Sequence, residues 1–498
     1  MITPPVRPEI RIVSDAFVQQ VISEAFDILN EIGVFIENRE AYQLLLDHGA
    51  VKVSPTDDEK GIGRLTFPRV MAEKALKEAP KEIHLRDISG QNGVALAGDQ
   101  VHFDPGSAAL FLHDPEARRI RKPVSEDLLR FIRLVDELPH YHLQSTALIS
   151  SDVPDACADS YRLYLALKAG RKPVVTGIFR KESFAFMKEM LALVRGGDDQ
   201  LEEQPLAVFD ACPSPPLIWS DLTAHSVIQA AMAGIPSEFV SMPLTGSTAP
   251  VTLAGAVVQH AAETLSGVIL AQCARPGAPV IWGGSPSAMD LRFGTTPMGA
   301  IETMMIDLSC AAVGKSLGLP THAYMGLSDS KQVDYQAGME SGLGILLAAL
   351  AGINVVSGPG MLDFESCQSL EKLVLDHEVC GMAYRLLKSM TQRDEVMALD
   401  LLKSLPAGGH FLTDPHTLKW FREEIFSPGK AIDRRARGSE LLDEMPTAAE
   451  RARQEVERLL GSESEPVLSA DLLRELDRMM EGELKRAGAK GLPTAAGV

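Results

Sequence analysis

The chain has 498 residues, which is too long for one ordinary hydrophobic core and predicts two or three domains. Its 45 % hydrophobic content is that of a folded globular protein rather than a disordered one. The formal net charge of −19 argues against non-specific nucleic-acid binding, whereas it suits cationic small molecules or a basic partner surface. An acidic soluble protein without such a partner explains the same charge.

Cysteine usage and hydropathy indicate the compartment. The six cysteines are scattered and form no CxxC pair, which fits a reducing cytoplasm. The amino terminus has no apolar run before a small-residue cleavage site, so we predict no signal peptide. The apolar stretch Val251–Cys273 contains Gln259, His260 and Glu263, which predicts a buried helix rather than a membrane span. We therefore expect a cytoplasmic protein without a membrane partner.

Residues 1–135 predict a mixed α+β region. Ile83–Leu112 alternates in the manner of short strands with turn signals between them, and Ser125 followed by Asp127 opens a helix. Earlier in the region, helical spacing of apolar residues predicts helices at Ser14–Glu31, Arg39–His48 and Pro68–Ala79.

From about His142, apolar runs alternate with helical segments. The runs predict seven strands, at His142–Ser150, Pro173–Phe179, Leu206–Cys212, Glu238–Pro243, Pro279–Gly284, Thr321–Gly326 and Ile353–Gly358. Helices are predicted between or after them, at Ala158–Lys168, Glu182–Val194, Asp221–Ala233, Ala254–Ala274, Met298–Leu317, Met339–Ala351 and Ser369–Leu387.

Seven strand–helix units are one short of a (β/α)8 barrel. An eighth strand is expected either at His410–Leu412 or before His142. An open doubly wound sheet is the alternative, but that fold usually carries a Gly-rich nucleotide fingerprint, which this chain lacks. We therefore predict an α/β protein with a TIM-type (β/α)8 barrel over residues 136–428.

The composition changes near the carboxyl terminus, and residues 429–498 predict a charged helical extension. Asp433–Arg486 has a helical charge pattern that is broken at Gly461–Pro466, and Gly491–Val498 is expected to be frayed. A solvated helical appendage is the simplest interpretation of this region.

Sequence motifs exclude several kinds of chemistry. The chain has no phosphate-binding loop, no dinucleotide fingerprint and no nucleophile elbow. The pairs His377/Cys380 and His410/His416 are too few for a zinc site, so no metal site is predicted. More informative are the polar residues that follow the predicted strands, because a barrel brings such loops around one opening. They are Ser150–Asp152, Cys212-Pro213, Leu244–Gly246, Asp290, Arg292, Ser328–Lys331 and Pro359-Gly360.

Four segments carry a family resemblance. They read GLSDSKQVDYQAGMES, AGINVVSGPGMLDFESCQSLEKLVLDHE, HFDPGSAALFLHDPEARRIRKPVSEDLLRFIRLVDELPH and GGHFLTDPHTLKWFREEIFSP. Together they resemble the trimethylamine methyltransferase family of corrinoid-dependent enzymes, over about residues 15–435. The resemblance implies a TIM-type barrel whose opening accepts a methylamine and docks a separate corrinoid protein. The methyl group then passes from nitrogen to Co(I), and the corrinoid belongs to the partner, so no cofactor is held tightly by this chain.

One departure from the family concerns the substrate. The founding trimethylamine enzymes carry pyrrolysine in a loop that we place near Ser328–Lys331, where this chain has ordinary residues. The chain therefore resembles the non-pyrrolysine branch, whose members demethylate quaternary amines such as glycine betaine, proline betaine or carnitine. A quaternary ammonium leaves as a neutral tertiary amine, so no general acid is required. A dry, weakly polar pocket should favour the transition state, in which the substrate's charge fades.

The resemblance and the strand ends give the candidate site residues. Asp329 and Ser330 are the catalytic candidates, because they lie where the founding enzymes carry pyrrolysine. If the substrate has a carboxylate, Arg292, His322 or a helix N-terminus is expected to receive it. Aromatic faces bind quaternary ammonium groups, and the aromatic candidates near strand ends are Phe103, Trp282, Phe293 and Tyr324.

Two rival interpretations remain open at this point. One is an enzyme of the same fold that uses another methyl donor or no corrinoid partner. The other is a non-catalytic protein that binds betaine-like solutes. The identity of the amine and the oligomeric state, including a homo-oligomer, are not determined by the sequence.

Overall fold

A unit of one strand and one helix occurs eight times in the described part of the chain. The computed structural model describes residues 5–53, 61–394, 397–436, 438, 445–461 and 466–493. The strands are β1 (His102–Phe103), β2 (Gln144–Ser145), β3 (Val174–Thr176), β4 (Ala207–Ala211), β5 (Ser237–Ser241), β6 (Val280–Gly284), β7 (His322–Tyr324) and β8 (Val355–Ser357). The helices that follow them are α1 (Ser125–Glu137), α2 (Ala158–Ala169), α3 (Lys181–Arg195), α4 (Asp221–Ala233), α5 (Leu253–Ala274), α6 (Ile301–Ser316), α7 (Tyr335–Ala351) and α8 (Leu370–Leu387).

The eight strands lie in two parallel sheets. One has the order β6-β5-β4-β3-β2 and the other has the order β7-β8-β1. Single parallel bridges join the edges of the two sheets, Phe103 to Tyr141 beside β1 and β2, and Trp282 to Thr321 beside β6 and β7. The strand before His142, which was one of the two predicted alternatives, is therefore β1, whereas residues 410–412 form no strand.

Helix boundaries differ from the predicted ones where a side chain binds free backbone N–H groups. The helix predicted from Met298 begins at Ile301, because the N–H groups of Met298 and Gly299 donate to the Asp329 carboxylate instead. The helix predicted from Met339 begins four residues earlier, at Tyr335, because the Asp334 side chain caps it through the N–H of Ala337.

Two small sheets accompany the strand–helix units near the amino terminus. One has the order Ile218–Trp219, Val34–Ile36, Gly63–Thr66, Val51–Lys52. The other is a hairpin of Ile83–Arg86 and Gly93–Leu96. The hairpin packs on the face of the parallel strands that is turned away from the helices, which we call the inner face. The buried cluster formed there comprises Ile83, Leu85, Leu96, Leu143, Val175, Val208, Ile281 and Val355.

The remaining elements lie before, between and after the eight strand–helix units. Asp15–Asp27 is capped by Ser14, as predicted, and continues as a π-helix over Ile28–Ile32. Further strands are Phe111–Asp114, Arg119–Arg121, Leu244–Thr245, Ser287–Ala288, Met361–Leu362 and Cys367–Gln368, and a 3-10 turn lies at Asp155–Cys157. The other helices are Arg39–Asp47, Arg69–Glu78, Asp198–Glu203, Leu399–Ser404, Pro415–Glu424, Ala448–Leu460 and Ala470–Arg486.

The carboxyl-terminal helices are packed rather than merely solvated, which corrects the interpretation from charge pattern. Ala448–Leu460 packs on α8, and Ala470–Arg486 packs on α2 and α3. Their charged residues occupy one face, while the other face is buried through Ala452, Val456, Leu476, Met480 and Leu484. Residues 462–465 and 494–498, which carry most of the predicted break and the predicted frayed end, lie outside the described residues.

Helix α5 is long and apolar enough to cross a membrane by length and composition. Every residue from Ala256 to Gln272 is buried within the fold. The helix packs against α4, α6 and the amino-terminal helices Asp15–Asp27 and Arg69–Glu78. Its hydropathy is thus explained by burial in the protein core, as the sequence predicted for Val251–Cys273.

Candidate active site

The inner face becomes polar toward the carboxyl ends of the strands. Val208 and Val355 belong to the apolar cluster, and two residues further along the same strands come Asp210 and Ser357. Side chains two apart in a strand lie on the same face, so these polar groups sit directly above the apolar cluster. Active sites of repeating β/α folds lie at this end of the strands.

Asp210 on β4 and Glu238 on β5 are register partners of adjacent parallel strands. Glu238 is buried and Asp210 is partly buried. Removal from water raises the pKa of Asp210 to about 7, and burial together with the nearby Asp210 raises the pKa of Glu238 well above its ordinary value. Within the described residues, neither Asp210 Oδ1 nor Glu238 Oε2 has a hydrogen-bond partner. The pair therefore offers acceptor oxygens toward the space at the strand ends.

Asp104, His322 and Ser357 extend this pair into a network. Ser357 Oγ donates to Asp104 Oδ1 at 2.7 Å, and His322 Nε2 lies 3.1 Å from Ser357 Oγ. The same Nε2 lies 3.3 Å from Oε1 of Glu238. Because the serine proton is used on Asp104, the histidine N–H donates to the serine, which fixes the Nε2–H tautomer. Burial lowers the pKa of His322 to about 3, so the imidazole is neutral near pH 7.

The opposite side of the His322 ring has room because of a glycine. Gly283 lies on β6, and a Cβ atom at this position would lie 2.8 Å from His322 Nδ1. A Cβ atom there would also lie 2.8 Å from the Phe239 carbonyl oxygen, so only glycine fits beside the imidazole. The first glycine of Trp-Gly-Gly-Ser is therefore explained by His322, whereas the second, Gly284, faces His260.

Tyr324 follows His322 on the same face of β7. The two rings meet edge-on with centroids 5.1 Å apart. Burial raises the pKa of the Tyr324 phenol well above its ordinary value, and the carboxyl groups of Asp210 and Glu365 add to this effect. The phenol is therefore neutral, and its ring lies among carboxyl groups.

Glu365 enters the site from the loop after β8. It accepts a hydrogen bond from Ser285 Oγ at 3.1 Å, and removal from water raises its pKa to about 7. Asp363, Phe364 and Glu365 have φ angles of 52°, 56° and 71°. Three successive non-glycine residues in the left-handed region are costly, and such strain concentrates at functional sites.

Asp329 and Ser330 connect loops at the carboxyl ends of the strands. Asp329 accepts the N–H groups of Met298 at 2.8 Å and Gly299 at 3.1 Å. Burial raises the pKa of Asp329 to about 6. Ser330 Oγ lies 3.0 Å from Asp334 Oδ1, and its carbonyl oxygen accepts the N–H of Asp363 at 2.9 Å. These bonds hold the Ser328–Lys331 loop against the loops before α6 and after β8.

The other predicted site residues lie in different surroundings. The Phe103 ring is fully buried and packs edge-on against Tyr384. Trp282 is buried on the helix side of β6, where its Nε1 donates to the Cys310 carbonyl at 3.0 Å. Arg292 and Phe293 are exposed; the Arg292 side chain pairs with Asp290 at 2.6 Å and lies over the Phe293 ring. The structure thus brings His322 and Tyr324 together with the carboxyl groups of the site. It does not bring the other four predicted residues there, which are Phe103, Trp282, Arg292 and Phe293.

Sequence reasoning missed four acidic residues, Asp104, Asp210, Glu238 and Glu365. Asp210 and Glu238 each stand inside an apolar strand, AVFDA and SEFVS. A single acidic residue within an apolar run is a signal of a functional site, because burying a charge is costly. A search of strand interiors as well as strand ends would have found both residues. Among the described residues, no group of three or more His, Cys, Asp or Glu side chains is arranged to hold a metal ion.

Comparison with known proteins identifies the family. A family model described as Trimethylamine methyltransferase (MTTB) matches residues 3–486. The chain belongs to this family. The glycine betaine methyltransferase of Desulfitobacterium hafniense (strain Y51) is 30 % identical over 483 residues, which cover 97 % of this chain and 98 % of that protein. The trimethylamine methyltransferase MttB of Methanosarcina barkeri (strain Fusaro / DSM 804) is 28 % identical and covers 91 % of both chains.

A solved structure supports the same fold. The crystal structure of the monomethylamine methyltransferase MtmB of Methanosarcina barkeri matches with a TM-score of 0.51 and covers 97 % of this chain and 89 % of that chain. The two sequences are 12 % identical, so this match concerns the fold alone. The family membership predicted from the four sequence segments is confirmed, and amine methyltransferase activity is the activity of the family.

Proposed function

We propose that this protein transfers a methyl group from a quaternary amine to the Co(I) corrinoid of a separate partner protein. The observation that supports the proposal best is the acidic inner face of a trimethylamine methyltransferase family member. Asp104 Oδ2, Asp210 Oδ1 and Glu238 Oε2 have no partner among the described residues, and their carboxyl groups act electrostatically on the Tyr324 phenol. A cationic head group is attracted by carboxyl oxygens and by an aromatic face.

The transfer needs positioning more than acid–base chemistry. The electron pair of Co(I) forms a bond to the methyl carbon while the carbon–nitrogen bond breaks, and nitrogen keeps that bonding pair. The product is a neutral tertiary amine, so no proton is supplied. Aligning the methyl group with the incoming cobalt contributes on the order of 7–11 kcal/mol to lowering such a barrier.

The raised pKa values suit a substrate whose charge disappears. Asp210 and Glu365 have pKa values of about 7, and burial raises those of Asp104 and Glu238 well above the ordinary range. A site of partly protonated carboxyl groups attracts the ammonium less strongly than a set of full charges would. Weaker attraction to the ammonium limits how much the bound substrate is stabilised relative to the transition state, in which the charge has faded.

We also propose that the two parallel sheets form one closed TIM-type (β/α)8 barrel. The two edge bridges and the shared apolar cluster of the inner face support closure. Because β1 lies within residues 1–135, the proposed barrel starts earlier than the sequence-based boundary at residue 136, and the boundary at residues 428 and 429 stays a prediction.

Several further features belong to the same proposal. The partner is a corrinoid protein, the corrinoid is carried by that partner, and the compartment is the cytoplasm. Six cysteines without a disulfide among them are compatible with a reducing compartment. The roles of Asp329, Ser330, Phe103, Trp282, Arg292 and Phe293 stay predictions from sequence.

The test is anaerobic absorbance of a candidate corrinoid protein that has been reduced to Co(I). The purified chain would be mixed with it and with glycine betaine, proline betaine, carnitine, choline or trimethylamine. Amine-dependent formation of methyl-Co(III) supports the proposal and identifies the substrate. No methyl-Co(III) with any amine, using a corrinoid protein shown to accept methyl groups, would contradict it. Calorimetric binding of an amine without transfer would then favour a non-catalytic binding protein.

A further inference from the structure

Arg162 on α2 is a buried cation at the candidate site. Its side chain is about 1 % exposed, and Nη1 donates to the Thr146 carbonyl at 2.6 Å. The guanidinium carbon lies 4.5 Å from the centroid of the Phe179 ring, while Nε has no hydrogen-bond partner among the described residues. Although burial lowers its pKa to about 10, the group is charged near pH 7.

The position of this guanidinium is at the carboxyl ends of three adjacent strands. Thr146 comes directly after β2, and Phe179 comes three residues after β3. Asp159, Asp210 on β4 and Tyr324 on β7 act electrostatically on Arg162. The last two are among the groups proposed to receive the ammonium, so the guanidinium lies near that end of the site. Phe179 is 40 % exposed, which leaves this end of the site open to a small molecule.

Arg162 is unusual because no carboxylate of the described residues forms an ion pair with it. The nearest acidic residue in sequence, Asp159, accepts the N–H groups of Ser160 and Phe179 instead. An unpaired buried charge is costly, and proteins pair such charges or use them for binding. A guanidinium also binds a carboxylate through two parallel hydrogen bonds, which suits a planar ligand group.

We propose that Arg162 receives the carboxylate of the substrate, which makes the substrate a betaine-like zwitterion. This inference rests on the proposed function and adds the second end of the ligand. The ammonium end lies at Tyr324 and the acidic pair, and the carboxylate end lies at Arg162. The two residues suggested by sequence fit this role less well, because Arg292 is paired with Asp290 on an exposed loop and His322 is uncharged.

The first test compares two ligands on the unmodified protein. Glycine betaine and ethyltrimethylammonium have a similar size and the same trimethylammonium group, and the second has a methyl group where the first has its carboxylate. Calorimetry should give about 10- to 100-fold tighter binding of glycine betaine, as expected for one charged hydrogen-bonded contact. Equal affinities, or tighter binding of ethyltrimethylammonium, would overturn the proposal.

The second test uses Arg162→Gln and Arg162→Lys, with Arg69→Gln as the matched control, because Arg69 is exposed and pairs with Glu73 on the helix Arg69–Glu78. Arg162→Gln should abolish the preference for glycine betaine and leave ethyltrimethylammonium binding within about twofold, whereas Arg162→Lys should keep part of the preference. Arg69→Gln should bind both ligands normally. Equal losses for both ligands in Arg162→Gln, at an unchanged melting temperature, would overturn the assignment.

The outcomes also separate this proposal from the proposed function. If Arg162→Gln does not fold, the role of Arg162 is tested by Arg162→Lys and by the two-ligand comparison on the unmodified protein. A carboxylate preference without methyl transfer contradicts the enzyme activity but supports the role of Arg162. Methyl transfer from both ligands with equal efficiency supports the enzyme activity and contradicts the role of Arg162.

Discussion

Asp210 and Glu238 face each other across two neighbouring parallel strands, where they form an acidic pair beneath the proposed substrate. Two ionised carboxylates on adjacent strands are not both stable away from water, so Glu238 keeps its proton while Asp210 loses its own as the pH passes about 7. The charge of the site therefore changes near neutral pH.

Amine affinity should accordingly rise with pH. A single carboxyl group with a pKa of about 7 gains about tenfold in ionised fraction between about pH 6 and about pH 8. Calorimetric affinity for glycine betaine should rise by up to that factor, because the ionised form attracts the ammonium. Asp210→Asn should bind more weakly at about pH 8 and lose most of this dependence. A variant that keeps the full pH dependence would show that another group is responsible.

The ionisation of Asp210 should also affect stability, but in the opposite direction: the free energy of unfolding should fall with pH where amine affinity rises. The pKa of Asp210 is higher in the folded protein than its ordinary value of 3.8, so the folded state binds more protons. Stability from this group is therefore fully present at low pH and decreases as the pH rises from about 4 to about 7. Asp210→Asn should show a smaller decrease in the urea midpoint between about pH 5 and about pH 8. Asp290→Asn, on an exposed loop, is the control and should follow the parent protein.

The Tyr324 ring should contribute to amine binding through its face. Tyr324→Phe keeps the aromatic face and should bind glycine betaine within about threefold of the parent, whereas Tyr324→Leu should lose about 0.5–2 kcal/mol. Tyr335→Leu provides the control, because Tyr335 is 84 % exposed on α7. Calorimetry measures both affinities. If Tyr324→Leu binds normally while its melting temperature is unchanged, the ring does not contact the ammonium group.

Asp329 should act by fixing loops at the strand ends. Asp329→Ala removes the acceptor of two backbone N–H groups, which costs about 1–2 kcal/mol as for a lost helix cap. We expect lower turnover in the corrinoid assay and a lower melting temperature, without global unfolding. Ser330→Ala removes a single hydroxyl from the same loop and should change both quantities less. Normal turnover in Asp329→Ala would place the loop outside the active site.

Most of the fold is predictable because local patterns decide it. Apolar runs, three of them ending at glycine, locate seven of the parallel strands, and capping residues such as Ser14 locate helix starts. Strand β1 is different, since it consists of His102 and Phe103 alone and exists through pairing with Val355 and Val356 on β8. Such a strand depends on tertiary contacts that local patterns do not contain.

The site was harder to predict than the fold for two physical reasons. Whether Asp210 and Glu238 meet depends on the register between β4 and β5, which is set by the packing of the whole sheet. Glu365 reaches Ser285 because Asp363 and Phe364 adopt left-handed backbone angles, and no glycine marks that conformation in the sequence. His322 and Tyr324 were found because they lie in the predicted strand Thr321–Gly326, near whose end the sequence search looked for aromatic and charged side chains.

His102 and His142, at the amino ends of β1 and β2, should make the stability of the fold sensitive to acid at a place away from the active site. His102 Nε2 lies 3.0 Å from the Ala95 carbonyl and its Nδ1 lies 2.9 Å from His142 Nδ1. Since Nε2–H donates to the carbonyl, Nδ1 of His102 accepts from His142, and a second proton on His102 would break this contact. Burial, the nearby His102 and Lys172 lower the pKa of His142 to about 4.

Stability from this contact is therefore fully present above the unfolded histidine pKa of about 6.5 and is lost as the pH falls toward about 4. We expect the melting temperature to decrease over that interval. His142→Gln keeps one N–H donor and should reduce the acid-induced part of the decrease, whereas His84→Gln, on an exposed position, should leave it unchanged. Differential scanning calorimetry at about pH 7 and about pH 5 measures the difference. Identical decreases in the parent protein and His142→Gln would mean that other groups, such as the nearby His377, account for the acid sensitivity.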